Sequence, residues 1–134
     1  MKDSHYTPSI LAEYLISHIK KNKVKTIADF CIGEGDLLKT AQKKWKNVKF
    51  YGNDISGRVI RLLKRKYPEW VLGNCDFLNS KSRNKANVFR NKFDIILLNP
   101  PFTCRGSTIN HVIFDNIEFN MSTAMAFFVE SINY

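Results

Sequence analysis

The sequence predicts a parallel, doubly wound α/β sheet. Short apolar runs alternate with segments of helical periodicity four times along 134 residues, the pattern of βαβ units. The first run enters a glycine turn, Ile32-Gly33-Glu34-Gly35-Asp36, that leads directly into a helical segment. The last run, Asp94–Leu98, is apolar after Asp94 and stops at Asn99-Pro100-Pro101-Phe102. A run without alternation suits a strand buried on both faces. The prolines end ladder pairing, and Asn99, preceding a proline, is held extended. The result is a rigid tip at the carboxyl end of a strand, where open α/β sheets bind ligands.

The elements follow in order. Ile10, Leu11, Tyr14, Leu15 and Ile19 form a helical stripe over 9–20, with Thr7 as N-cap and Pro8 in the first helical position. His18, beside that stripe, reads as structural. Thr26–Cys31 is a strand, and Leu37, Leu38, Ala41 and Trp45 make one face of the helix after the glycine turn. Lys49–Asp54 is the second strand. Ser56 caps a helix over 57–66, with Val59, Ile60, Leu63 and Tyr67 inward and the basic residues outward, and Pro68 stops it. Trp70–Leu78 is the third strand. Residues 79–92 hold five Lys/Arg and no acid, which reads as a surface loop or a short basic helix. After the tip, 103–110 is polar and reads as a mobile loop beside it. Residues 114–119 fit strand or loop. Residues 121–133 look helical, with Ala124, Phe127, Phe128 and Ile132 clustered.

Composition bounds the class. At 44% hydrophobic and 25% charged, 134 residues make at most one ordinary globular domain. No apolar run approaches the roughly 20 residues of a membrane helix, and the N-terminus has no signal-peptide core. Cys31, Cys75 and Cys104 are odd in number and widely spaced, which points to reduced thiols in the cytoplasm and not to disulfides or zinc. The net charge is +9, and all of it lies in residues 1–67, which carry 15 Lys+Arg against 6 Asp+Glu. A basic surface attracts polyanions, nucleic acid first. Lysines that solvate helix faces give the same count.

Asp29, Asp54, Asp76 and Asn99 end successive strands, so a parallel sheet brings all four to one edge. Asp54 lies 21 residues after Gly33, the position that hydrogen-bonds ribose hydroxyls, although it also fits a helix cap. Asp76 suits an exocyclic amine, and Phe77 a flat ring. Glu34 and Asp36 in the turn disfavour a pyrophosphate, because nothing nearby in sequence neutralises four like charges. A positively charged sulfonium cofactor suits the turn better.

Tyr6-Thr7-Pro8, Asp29-x-x-x-Gly33-x-Gly35, Asp54, Asp76-Phe77 and Asn99-Pro100-Pro101-Phe102 stand in the order of a known family. The sequence resembles S-adenosylmethionine-dependent adenine-specific DNA methyltransferases of the restriction-modification type over about residues 5–102. The resemblance implies a Rossmann-like class I methyltransferase fold. It implies that Tyr6, Thr7 and Pro8 line the methionine end of the cofactor. Asp29, Cys31, Gly33 and Gly35 would form the turn around it, with Asp29 near its amino group. Asp54 and Ile55 would hold the ribose and flank the adenine, and Asp76 and Phe77 the ring's edge. Asn99 and the Pro100 carbonyl would accept hydrogen bonds from the target amine, beside Pro101, and Phe102 would stack on the target base. DNA stands ahead of RNA as partner. Similar tips occur in RNA amino-methyltransferases and in enzymes that methylate glutamine side chains.

Phe30 stands where the family usually has a small residue or proline. The larger departure is length. The family's sheet has seven strands and this chain supplies about four, followed by one helix and no target-recognition domain. The expectation is a partial methyltransferase domain over 1–134, truncated after the fourth strand and its helix. Such a chain either relies on a second chain or is an inactive remnant that binds only cofactor or nucleic acid.

Overall fold

The computed structural model describes residues 7–101 and 108–134. The elements run α1 (Ser9–His18), β1 (Thr26–Asp29), α2 (Asp36–Lys44), β2 (Lys49–Asn53), α3 (Gly57–Lys66), β3 (Val71–Gly73), α4 (Ser80–Arg83), β4 (Ile95–Leu97), β5 (Asn110–Phe114), β6 (Ile117–Met121) and α5 (Thr123–Ser131). A 3₁₀ helix, Asn87–Arg90, precedes β4. The four parallel strands are ordered β3-β2-β1-β4, with Asp29 opposite Gly52 on one side and Leu97 on the other. This is the doubly wound sheet that the alternation implies.

Period-two alternation sends successive strand residues to opposite faces. Ile27, Phe50, Leu72 and Leu97 pack under α1, α2 and α3, against Ile16, Leu38, Ala41, Ile60 and Leu63. Ala28, Tyr51, Val71 and Ile96 face the other layer, with Phe77, Val88, Phe89 and Phe127. Phe30 lies at the centre of that second core, 4.9 Å from the Phe77 ring and 5.0 Å from Phe89. Its bulk fills this aromatic layer, where several ring pairs each contribute about 0.5–1.5 kcal/mol beyond area burial.

Several elements differ from the sequence expectation. The α1 stripe faces outward: Ile10 is 77% exposed, and the helix buries Ala12 and Ile16 instead. Nearly every side of α1 is apolar, so its period does not choose a face. Pro8, not Thr7, is the N-cap, and no side chain bonds there. Residues 79–92 include the short basic helix that the charge run allows, α4, but they do not all stay at the surface. Asn79 caps α4, and Val88 and Phe89 enter the core. Arg83 is buried, pairs with Glu130 of α5 at 3.0 Å, and donates to the Phe77 carbonyl. In α5 the buried residues are Ala126, Phe127 and Ser131, while Phe128 and Ile132 are exposed.

Residues 110–121 form an antiparallel hairpin. Asp115 and Asn116 take φ 51° and 62°, as a two-residue hairpin turn of this hand requires. In β4 only Leu97 is fully buried, because the strand pairs on one side only among the described residues. Asp94 is outside the strand and anchors it. Its Oδ2 accepts from the Lys25 and Thr26 amides at 2.8 and 3.2 Å. Those amide donors, then Lys21, hold its carboxyl below the usual range.

Candidate active site

The glycine turn leaves β1 with Gly33 at φ 51° and Gly35 at φ 83°. A side chain on Gly35 would also meet the Trp70 ring at 3.1 Å. Three bonds hold the turn. Gly35 N donates to the Ile32 carbonyl at 2.8 Å, Ile32 N to the Asn53 carbonyl at 2.9 Å, and Gly33 N to Asp54 Oδ2 at 2.9 Å. Asp54 Oδ1 accepts from Ser56 N at 2.8 Å. This carboxylate therefore fastens the turn to the end of β2 and opens α3, while each oxygen keeps a lone pair for another donor.

Asp29 ends β1 and is 2% exposed. Its Oδ1 accepts from Cys31 N at 3.0 Å, and among the described residues no cation pairs with it. Burial lifts its carboxyl to about 7, the Cys31 amide offsets part of the rise, and the Asp54 charge adds to it. Burial, then the charge of Asp29, pushes the Cys31 thiol up, while the Asn99 amide bonded to it acts the other way. The thiol is thus neutral. Two residues past β4, Asn99 Nδ2 donates to Thr7 Oγ1 at 2.8 Å.

These contacts shape a small open pocket. Thr7, Asp29, Cys31, Gly33 and Asn99 line it, with Ile32, Glu34 and Leu37 as walls. Asp36 also reaches it, but pairs with Lys39 at 2.5 Å. With that pair made and Asp29 only partly ionised near pH 7, the lining carries less negative charge than Asp29, Glu34 and Asp36 together imply. Its lining still contains no cation.

Residues 4–121 match the model of a family described as the methyltransferase small domain. The chain belongs to this family. It is 28% identical over 115 residues to the uncharacterized protein MG259 of Mycoplasma genitalium, covering 82% of this chain and 25% of that protein. The methyltransferase subunit of a type I restriction-modification system from Streptococcus thermophilus superimposes with a TM-score of 0.70 at 19% identity, over 96% of this chain and 31% of that one. A modification subunit of a putative type I restriction enzyme from Vibrio vulnificus gives 0.68 at 15% identity, over 95% and 30%. These likenesses are of fold. The chain spans about a quarter of the length of its curated relative.

Within this methyltransferase fold, the remaining candidate residues are placed unequally. Gly35 lies behind the turn, and Asp54 faces an adjoining groove that shares Gly33 and Glu34 with the pocket. Ile55 is 72% exposed on the same edge. Pro8 and Pro101 are exposed and Pro100 is half-buried, none of them in the pocket lining. Tyr6 and Phe102 lie outside the described residues, as does most of the polar segment after the tip. Asp76, beyond the edge strand β3, is exposed, and its Oδ1 accepts from Leu78 N at 3.2 Å.

Phe77 is a correction. Its ring is 2% exposed, stacked on Phe30 and covered by Arg83, so no ligand ring can pack on it. Asn53 is an addition. It is 1% exposed, and its Nδ2 donates to the Phe30 and Cys75 carbonyls at 3.4 and 3.0 Å while its Oδ1 accepts from Cys75 N at 3.1 Å. One buried amide therefore ties together the loops that follow β1, β2 and β3. The signal is an amide that directly follows the apolar Phe50-Tyr51-Gly52 at the end of β2.

Proposed function

We propose that this chain is the cofactor-binding and catalytic part of an S-adenosylmethionine-dependent methyltransferase that acts on the exocyclic amine of adenine in DNA. The observation that carries the reading is the convergence of Asp29, the glycine turn and Asn99 on one pocket, with Thr7 bonded to Asn99. The residues fit that cofactor. Asp29 is a buried carboxylate with no cation beside it among the described residues, and Glu34 adds negative charge at the rim. An ammonium and a sulfonium complement such a lining, and the left-handed glycines let main chain approach a ligand. Asp29, Cys31, Gly33 and Thr7 would hold the methionine end, and Asp54 with Ile55 the ribose and adenine. Bound there, S-adenosylmethionine supplies an electrophilic methyl carbon.

Asn99 and the Pro100 carbonyl act on the acceptor. The amine of adenine is a poor nucleophile because its lone pair is delocalised into the ring. Two acceptors held out of the ring plane favour a pyramidal nitrogen and localise the pair as the transition state forms. No strong base is needed first, since the proton becomes acidic once the nitrogen is methylated. The target base must leave its stack, and Phe102 is assigned the compensating ring.

Nucleic acid is preferred over protein glutamine because the charge excess favours a polyanion, and the restriction-modification subunits whose fold the chain shares support DNA over RNA. A second chain belongs to the proposal. On opposite layers of the sheet, α1 exposes Ile10 and Tyr14 and α5 exposes Met125 and Phe128, and each apolar face is one that a partner could cover. No described helix is long and apolar enough to cross a membrane. The proposed setting is the cytoplasm.

Calorimetry with S-adenosylmethionine, and nucleoside analysis of DNA from cells expressing the chain or its Asn99→Ala variant, test the reading. Cofactor binding together with N6-methyladenine absent from the variant supports it. Methyl label confined to RNA or glutamine overturns the target, and binding without any turnover leaves a cofactor-binding remnant.

A further inference from the structure

We propose that the outward face of α3 is a docking surface for the phosphodiester backbone of a nucleic acid. The helix carries Arg58, Arg61, Lys64, Arg65 and Lys66, has no acidic residue, and exposes all five cations. Its other side holds the core through Ile60 and Leu63.

The neighbouring helix shows what a structural cation looks like here. In α2, Lys39 pairs with Asp36, Lys43 with Glu13 at 3.3 Å, and Lys44 donates to the Ile16 and Ile19 carbonyls. Among the described residues, none of the five α3 cations has a carboxylate within 4.0 Å. Lys64, Arg65 and Lys66 complement the helix dipole in the last turn. Arg58 and Arg61 do not. They lie toward the positive end of the dipole and repel each other at i,i+3, and Arg61 repels Arg65 at i,i+4. The fold makes no use of these two charges, so an anion outside it is their counterpart.

The layout selects a polymer. From Arg58 to Arg65 the helix advances about 10 Å at about 1.5 Å per residue. That matches roughly three phosphates of one strand, spaced about 3.4 Å along the duplex axis. The layer of α1, α2 and α3 comes from the half of the sequence that holds the whole charge excess. An open groove beside α3, flanked by Arg58 and Lys66, meets the candidate pocket at Gly33 and Glu34. Glu34 and Asp54 line this groove, so the backbone follows the exposed row of Arg58, Arg61 and Arg65, beside the pocket and not in it. An acidic membrane fits poorly, because Leu62 is the one large apolar side chain exposed on this helix.

This surface rests on charge placement alone and stands whether or not Asn99 takes part in methyl transfer. The test is binding of a labelled duplex of arbitrary sequence to the full chain across a potassium chloride series. The comparison is R58Q/R61Q/R65Q, with K85Q/K92Q on the opposite layer as control. The triple variant is expected to lose affinity and to flatten the slope of log K against log salt by about 2–3, at about 0.9 per phosphate contact. The control should change neither, and thermal unfolding of the triple variant should match the parent. An unchanged slope, an equal loss in the control, no duplex binding at low salt, or binding only to anionic phosphatidylserine vesicles would each overturn the proposal.

Discussion

Asn99 donates its Nδ2 hydrogen to Thr7 Oγ1 at 2.8 Å, joining residues 92 apart in sequence. The bond decides how the amide is presented. With Nδ2 engaged, Oδ1 is the atom left to accept from a target amine. Thr7→Val should remove the orienting contact, worth about 1 kcal/mol, and lower methyl transfer roughly fivefold, while Thr7→Ser retains it. Asn99→Ala should cost on the order of 100-fold or more in transfer, the scale of deleting one preorganised group, with cofactor binding little changed. Transfer rates and calorimetry on the three variants check this, and equal rates in Thr7→Val and parent would refute the orienting role.

Asp29 gives a pH signature. Its folded carboxyl sits at about 7 against an ordinary value of 3.8. The folded state therefore holds a proton that the unfolded chain releases. Stability falls as pH rises from about 4 to about 7 and is level above, by at most about 4 kcal/mol at about 1.4 per unit. Asp29→Asn should remove that slope in urea titrations at pH 4.5 and 7.5. A cationic ligand reverses the preference by favouring the ionised form. Its affinity for the parent should climb up to about tenfold per unit below pH 7 and level beyond it, while Asp29→Asn binds weakly at every pH. A flat parent profile would count against the carboxylate as the cation partner.

What could be read in the sequence was what local chemistry decides. Apolar period and turn glycines placed β1, α2, β2 and α3, and parallel topology then put Asp29, Gly33 and Asn99 on one edge without any knowledge of distances. Packing decided the rest. Ile10, Leu11, Ala12, Tyr14, Leu15 and Ile16 surround α1 almost completely, and only contact with α2 selects Ala12 and Ile16 as its buried side. Phe77 reads as a ring for a ligand, but Phe30, beyond the end of β1 and two strands away, stacks on it and buries it. Arg83 reads in sequence as one of five cations of a surface loop or short helix, and Glu130, 47 residues later, supplies its partner. The hairpin turn uses Asp115-Asn116 where glycine would have announced it.

Asn53 should matter more than its silence in the sequence suggests. Replacing it with leucine leaves the Cys75 amide and carbonyl buried without partners. The expected loss is about 2–3 kcal/mol, read as a lower urea midpoint at constant slope. Because the same amide holds the Phe30 carbonyl, cofactor affinity should fall as well. A variant of parental stability would show that the loops after β1 and β3 are held by other means.

Glu130 tests how α5 is fastened to the sheet. Its carboxylate meets Arg83 at 3.0 Å, with the two side chains 17% and 10% exposed, and Arg83 Nε is buried with no hydrogen-bond partner. Removing the acid alone strands a buried guanidinium. Glu130→Ala should therefore destabilise by about 3–5 kcal/mol, and the loss should barely respond to salt. Replacing both partners, Arg83→Met with Glu130→Leu, should recover most of it, because an apolar pair removes the desolvation that the ion pair must offset. Urea midpoints for the single and double variants at low and high salt measure both effects. A single-variant loss below about 0.5 kcal/mol would place the pair with ordinary surface ion pairs and leave α5 held by Phe127 and Tyr134 against the aromatic layer.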